Sequence, residues 1–180
     1  MYDVVMYHEI ERKFLVKKMP WLWSIRKVSQ ERYFIQRGDL FEEGFKRNGS
    51  IFEYETKFTI SPQEKSREKV VVTREEFERQ KENGTRVLER DSYSISKKNP
   101  VVSIKKYKGI YKGLVLAEVE FDSVEEMEDF QPYDWMGMEV TDTPLGKDAR
   151  LVDLDREGLQ KVLGDLQDDL EAAKDTGNFL

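Results

Sequence analysis

Cysteine is absent from the 180 residues, which excludes disulfides and thiolate metal sites. Histidine is nearly absent: His8 stands alone, so a zinc site built from several histidines is excluded as well. Any metal would have to rest on carboxylates, a donor set that favours Mg²⁺, Mn²⁺ or Ca²⁺. No apolar run approaches the length of a membrane span, and no signal-like segment opens the chain. A cytoplasmic protein without membrane contact is the expectation. A basic excess is missing too. Thirty Lys and Arg face 36 Asp and Glu, for a net charge of −6, so general nucleic-acid binding is not expected.

What is present is charge of both signs. Asp, Glu, Lys and Arg make up 37% of the chain and aromatics 12%. That is too much charge for an ordinary surface and too many aromatics for a disordered chain. A fold that takes charge inside as well as outside fits both. The length suits one domain spanning residues 1–180.

Strand-like runs dominate, at 7–16, 31–37, 40–47, 51–59, 66–73, 86–96, 101–108 and 114–121. Turn residues separate them, with Asn48 and Gly49 the clearest hairpin signal. Eight short strands with short connections predict an antiparallel sheet closed on itself. Thr73 and Ser123, each followed three residues later by Glu, predict two short capped helices. Leu159, Val162, Leu163, Leu166 and Leu170 recur at helical spacing and predict an amphipathic helix over about 155–174. The fold class is α+β, mainly antiparallel β: an eight-stranded closed tunnel with flanking helices and a C-terminal amphipathic helix. Residues 19–27 read as a loop or short helix, in which Trp21 and Trp23 would form either a lid or, by the usual role of buried Trp, an apolar plug.

The strands carry an unusual pattern. In HEIERKFLV, Glu9, Glu11 and Lys13 share one face while Ile10, Arg12 and Phe14 share the other. In IFEYETKF, Glu53, Glu55 and Lys57 oppose Phe52, Tyr54 and Phe58. Lys46, Arg67, Lys69, Arg90, Lys105, Glu42, Glu118 and Glu120 fall on charged faces in the same way. For a single strand, a wetted polar face explains this. Over the whole set, closing the sheet with these faces inward gives a charged tunnel. Packed carboxylates call for a cation and packed ammonium and guanidinium groups call for an anion. A metal–polyphosphate complex answers both. His8 falls on the opposite, outward face. The run 103–113 is basic with aromatics interleaved, and a solvated strand end accounts for it in an acidic chain.

Three segments together resemble the CYTH superfamily, the triphosphate tunnel metalloenzymes. They are EIERK at 9–13, matching the ExExK signature, AEVEF at 117–121, and WMGMEVT at 135–141. The resemblance implies an eight-stranded tunnel, a triphosphate-bearing substrate and Mg²⁺ or Mn²⁺. It implies metal-side roles for Glu9, Glu11, Glu118, Glu120 and Glu139, and phosphate contacts from Lys13 and Lys57. Glu11 and Lys13 are the expected catalytic pair. The family pattern has an Arg pair on the third strand, where this chain has Gly44 and Lys46, and an acid late on the seventh, where it has Lys105. Lys46, Arg67, Lys69, Arg90 and Lys105 are therefore assigned to the phosphate side, and Glu53 or Glu55 stands in for the missing acid. Hydrolysis of a triphosphate is the leading expectation. Binding without turnover and a class IV adenylate cyclase reaction remain open, as does homodimerisation.

Overall fold

The computed structural model describes residues 5–22 and 24–175. Eight strands, β1 (Val5–Val16), β2 (Lys27–Arg37), β3 (Phe41–Asn48), β4 (Ile51–Thr59), β5 (Glu64–Val72), β6 (Leu88–Ser96), β7 (Val101–Tyr107) and β8 (Val115–Phe121), form one antiparallel sheet. Their order around the sheet is β5-β4-β3-β2-β6-β7-β8-β1. Pairing of β1 with β5, from Val5 opposite Lys69 to Ile10 opposite Glu64, closes it into a barrel. The eight-stranded tunnel expected from the strand spacing is thus present. A ninth strand, β9 (Met136–Glu139), was not anticipated. It pairs with the last residues of β1, Phe14 and Val16, beyond the point where β5 ends.

The local signals behave as the chemistry requires. Gly49 takes φ 65° between β3 and β4, a conformation glycine reaches at no steric cost. The Thr73 and Ser123 hydroxyls accept from Glu76 N at 3.1 Å and Glu126 N at 3.2 Å. They open helices α1 (Arg74–Gln80) and α2 (Val124–Asp129). A short helix α3 (Asp148–Leu151) precedes α4 (Arg156–Asp175). In α4, Leu159 is buried and Val162, Leu163 and Leu166 pack on the barrel's apolar cluster. The Leu170 side chain lies outside the described residues. No helix among the described residues is long and apolar enough to cross a membrane.

Because the inner face is charged, the apolar core lies outside the barrel wall. Phe77 of α1 is fully buried against Tyr33, Phe45 and Phe52. A second cluster joins Ile10, Phe14, Val119 and Phe121 to Met127 and Phe130 around α2. The third sits at one barrel end. There Phe34, Leu88, Tyr107 and Leu116 continue the inward phase of Arg32, Arg90, Lys105 and Glu118. They pack against Val140, Leu145 and Leu151 of the segment after β9. That end is the rear of the tunnel. The opposite end, where the β3–β4 and β6–β7 turns lie, is lined by Arg26, Asn48, Ser94 and Lys97.

Gly44 shows how closely the wall is packed. A Cβ there would fall 2.1 Å from the Tyr33 carbonyl oxygen and 2.8 Å from the Phe34 Cα. Both are backbone atoms that cannot rotate away. Gly44→Ala is expected to destabilise the fold by about 1–3 kcal/mol, seen as a lower urea midpoint at unchanged slope; an unchanged midpoint would refute this close approach.

Candidate active site in the charged lumen

The lumen is a cavity of about 690 Å³. Its wall carries Lys13, Arg26, Arg32, Lys46, Lys57, Arg67, Lys69, Arg90, Lys97 and Lys105 against Glu9, Glu11, Glu53, Glu118, Glu120 and Asp148. Ten cations against six carboxylates make the interior electropositive within a chain of net charge −6. Such a walled cavity concentrates anions.

Strand alternation places each group. From β1, Glu9, Glu11 and Lys13 point inward; from β8, Glu118 and Glu120. The register sets Glu11 opposite Glu120 and Lys13 opposite Glu118. Lys13 Nζ lies 3.2 Å from Glu11 and 3.6 Å from Glu118, and donates to the Gly146 carbonyl at 3.0 Å. Lys65 holds Glu11 at 2.7 Å. Lys105 reaches Glu118 at 3.5 Å and donates to Ser92 at 3.0 Å. Glu9 is held by Lys57 at 2.8 Å and Arg67 at 2.6 Å. Lys69 pairs with Glu53 at 2.8 Å. Glu55 is 2% exposed, and neither carboxylate oxygen accepts a hydrogen bond. It stands among Arg32, Arg67 and Lys46 at 3.6, 3.7 and 4.0 Å.

These pairings set the protonation states. Burial pushes the Glu11 carboxyl up, but Lys13, Lys65 and Lys57 more than offset it and hold it well below the usual carboxylate range. Burial acts likewise on Glu118, and Lys105 and Lys13 outweigh it to leave the group near about 2. Glu120 goes the other way. Burial and the neighbouring Glu118, Glu11 and Glu9 raise it to about 7, and it makes no ion pair among the described residues. Lys46 is drawn down to about 8, first by burial, which Glu55 opposes, and then by the nearby Arg90, Lys57 and Lys105.

A carboxyl raised by burial and by neighbouring carboxylates, as Glu120 is, marks a place where a cation is wanted. The all-oxygen donor set of Glu9, Glu11, Glu118 and Glu120 has the chemistry of a Mg²⁺ or Mn²⁺ site. Among the described residues no three carboxylates converge on one point, because Lys13, Lys65, Lys105, Lys57 and Arg67 occupy three of them.

The structure brings together all but one of the site residues expected from the strands. Glu139 is the correction. Its partner in register is Phe14, an outward residue, so Glu139 lies outside the barrel. Arg12 holds it through Nη2 at 2.7 Å and Nε at 3.1 Å, and Thr141 donates to it at 2.7 Å. Trp21 is 71% exposed and does not plug the tunnel; Trp23 lies outside the described residues. His8 is outward and exposed, 3.3 Å from Glu64. Several lining residues were missed, Arg26 and Lys97 at the front mouth among them. Arg32 lies within the expected second strand, but both faces of that run mix charged and apolar residues and neither reads as inward; Gln30 fell outside because β2 begins at Lys27, earlier than its apolar pattern suggests. Lys65 sits just ahead of the expected start of β5. Asp148 belongs to no strand, so alternation could not find it; an acid in a glycine-led turn after the last strand was the only signal.

A closed eight-stranded tunnel with a lumen of interleaved acids and bases is the architecture of the triphosphate tunnel, or CYTH, superfamily, and this chain has it. One solved protein of that kind is NE1496. A crystal structure of the inorganic triphosphatase NE1496 is similar to this chain at 28% identity and a TM-score of 0.58, over 80% of this chain and 93% of that one. A second crystal structure of NE1496 aligns at 27% identity and a TM-score of 0.60, over 82% and 99%. A conserved hypothetical protein from Pyrococcus furiosus shares the fold at 14% identity and a TM-score of 0.50, over 67% and 82%. No protein-family model matches the chain, and no curated protein matches it.

Lys46 supplies a measurable consequence. Free Lys46 loses its proton above pH of about 8, and a bound polyanion favours the charged form. Below that pH the lysine is charged in both states and contributes no pH dependence. Above it, binding takes up a proton, so tripolyphosphate affinity falls by up to about tenfold per pH unit. Calorimetry from pH 7 to 9.5 should show this slope in the native chain and a shallower one in Lys46→Met; equal slopes would show that Lys46 does not face the anion.

Proposed function

We propose that the protein is a metal-dependent triphosphatase that cleaves the terminal phosphate from an inorganic or small organic triphosphate held in the lumen. The observation that carries this reading is the excess of cations around a carboxylate set shared between β1 and β8. The likeness to an inorganic triphosphatase supports it.

Each residue then has a task. Lys13, Arg32, Lys46, Lys57, Arg67, Lys69, Arg90 and Lys105 bind the phosphate chain and neutralise its oxygens. Phosphoryl transfer depends mostly on such positioning and charge stabilisation. Glu9, Glu11, Glu118 and Glu120 would hold the divalent cation, which supplies positive charge at the phosphate oxygens when bound. Lys13 is tied to Glu11, Glu118 and the Gly146 carbonyl, so its ammonium is held still at the junction of the acidic and basic walls. In hydrolysis a water oxygen bonds to the terminal phosphorus as the bond from that phosphorus to the bridging oxygen breaks, which yields orthophosphate, the inorganic or organic diphosphate and a proton.

A second reading is binding without turnover. It is favoured by one observation: Glu11 and Glu118 are already neutralised by Lys65, Lys13 and Lys105.

Phosphate release from tripolyphosphate, with Mg²⁺ or Mn²⁺, separates the two. Under the first reading, release occurs, stops on chelation, and drops by about a hundredfold or more in Glu11→Gln and in Glu118→Gln. Saturable calorimetric binding with no release would establish the second reading. Undiminished release in both variants would remove these carboxylates from the chemistry.

A further inference from the structure

The lumen is constricted at its rear by a partition built around Asp148. The segment from Val140 to Leu154 crosses the rear of the barrel. It is anchored by Arg37 donating to the Ala149 carbonyl at 3.0 Å, by Arg150 on Asp39 at 3.1 Å, and by Lys13 on Gly146. The anchoring places Asp148, 6% exposed, at the floor of the cavity. Arg90 Nη1 donates to both Asp148 oxygens at 3.0 Å, the Tyr107 hydroxyl donates at 2.8 Å, and Arg32 Nη1 approaches at 3.4 Å. Behind it is a separate space of only about 30 Å³, which leads toward Lys65, Lys147 and Arg150. Asp148 lines both spaces, as do Lys13, Arg32 and Lys57, and is the one carboxylate in the partition between them.

We infer that Asp148 is a built-in anionic stop. It fixes where the terminal phosphate comes to rest and so limits the length of phosphate chain the lumen accepts. The inference rests on the reading of the lumen as a triphosphate site and assigns a specificity role within it. The argument is one of charge and space. Arg32 and Arg90 are the planar, forked donors best suited to a phosphate group. Asp148 already uses one nitrogen of each. Arg90 also gives Nε to Gln30 at 2.9 Å, so the bonds hold its guanidinium in one orientation. A phosphate entering from the front meets the remaining N–H groups of these arginines. It is then repelled by the carboxylate if it moves further. The chain must enter end-on, with its terminal phosphate inward and any substituent directed out past Arg26 and Lys97. A fourth phosphate cannot advance past Asp148 and is left toward the front mouth, where Arg26 and Lys97 lie.

The test is binding and turnover of tripolyphosphate and tetrapolyphosphate by the native chain, Asp148→Asn and Asp148→Ala, with thermal melting to confirm folding. Asp148→Asn removes the charge at nearly constant shape, and Asp148→Ala also opens the partition. The native chain should prefer tripolyphosphate. Asp148→Asn should bind it roughly tenfold more tightly. Asp148→Ala should raise the tetrapolyphosphate to tripolyphosphate ratio of kcat/KM, or of affinity if there is no turnover, by about tenfold or more. A purely structural aspartate would lower the melting temperature and weaken both ligands together, leaving the ratio unchanged; that result in both variants overturns the inference while leaving the triphosphate reading intact. Failure of the folded native chain to bind either ligand overturns both.

Discussion

Everything in this molecule follows from charge compensation inside a closed sheet. Fixing seven or more carboxylates in a barrel would drive their pKa values up and expand the wall, as Glu120 illustrates at about 7. The ammonium of Lys13 between Glu11 and Glu118, the Lys65–Glu11 contact and the Arg67–Glu9 contact prevent this elsewhere. Such pairs add little net stability, because desolvation offsets most of the attraction. Removing one partner is another matter: an uncompensated buried charge costs about 3–5 kcal/mol. The lining is therefore a mutually dependent set, and the excess of cations that remains after internal pairing leaves the lumen electropositive.

Putting charge at the centre obliges the apolar residues to find cover elsewhere. Two clusters outside the wall and one at the rear end of the barrel supply it, each covered by a different segment: α1, α2, and the stretch from Val140 into α4. The last of these links stability to function. The same residues that bury Phe34, Leu88 and Leu116 also close the tunnel and hold Asp148 against Arg90. Arg12 does comparable work on the outer surface. It clamps Glu139 and lies 5.1 Å from the Phe14 ring centroid, so that β9 is held on the edge of β1 directly behind Lys13.

The strands, their turns and nearly all the lining were legible because alternation is a strict geometric rule. In EIERK and EYETK, three charges at every second position leave only one consistent orientation once the sheet closes. The two helix caps were legible for a similar reason, since Thr73 and Ser123 accept from the backbone three residues on. What was missed depends on tertiary placement. Arg32 sits in a strand whose two faces both mix charged and apolar residues, Lys65 at a strand boundary, and Asp148 in a connecting segment brought to the lumen only by packing. Glu139 was misplaced for another reason: its metal-side role came from the resemblance of the EVT element alone, and the register of β9 on Phe14 turns it outward. The carboxylates of β1 and β8 were legible as a set, whereas their neutralisation by Lys65 and Lys105 required the three-dimensional pairing to be seen.

The long first strand has one more consequence. One edge of β1 is filled by β8, and the other is divided between β5 and β9. Closure leaves the barrel itself without an open edge, and the outer edge of β9 is only four residues long, with Gly137 in its middle. Open edges are where sheets recruit foreign strands and begin to aggregate. A protein rich in alternating strands, which in an open sheet would template its own association, here presents a short edge beside α4, where Leu163 and Leu166 line the same surface hollow as Gly137 and Met138. The closure that makes the tunnel is thus also what keeps so strand-rich a chain from polymerising edge to edge.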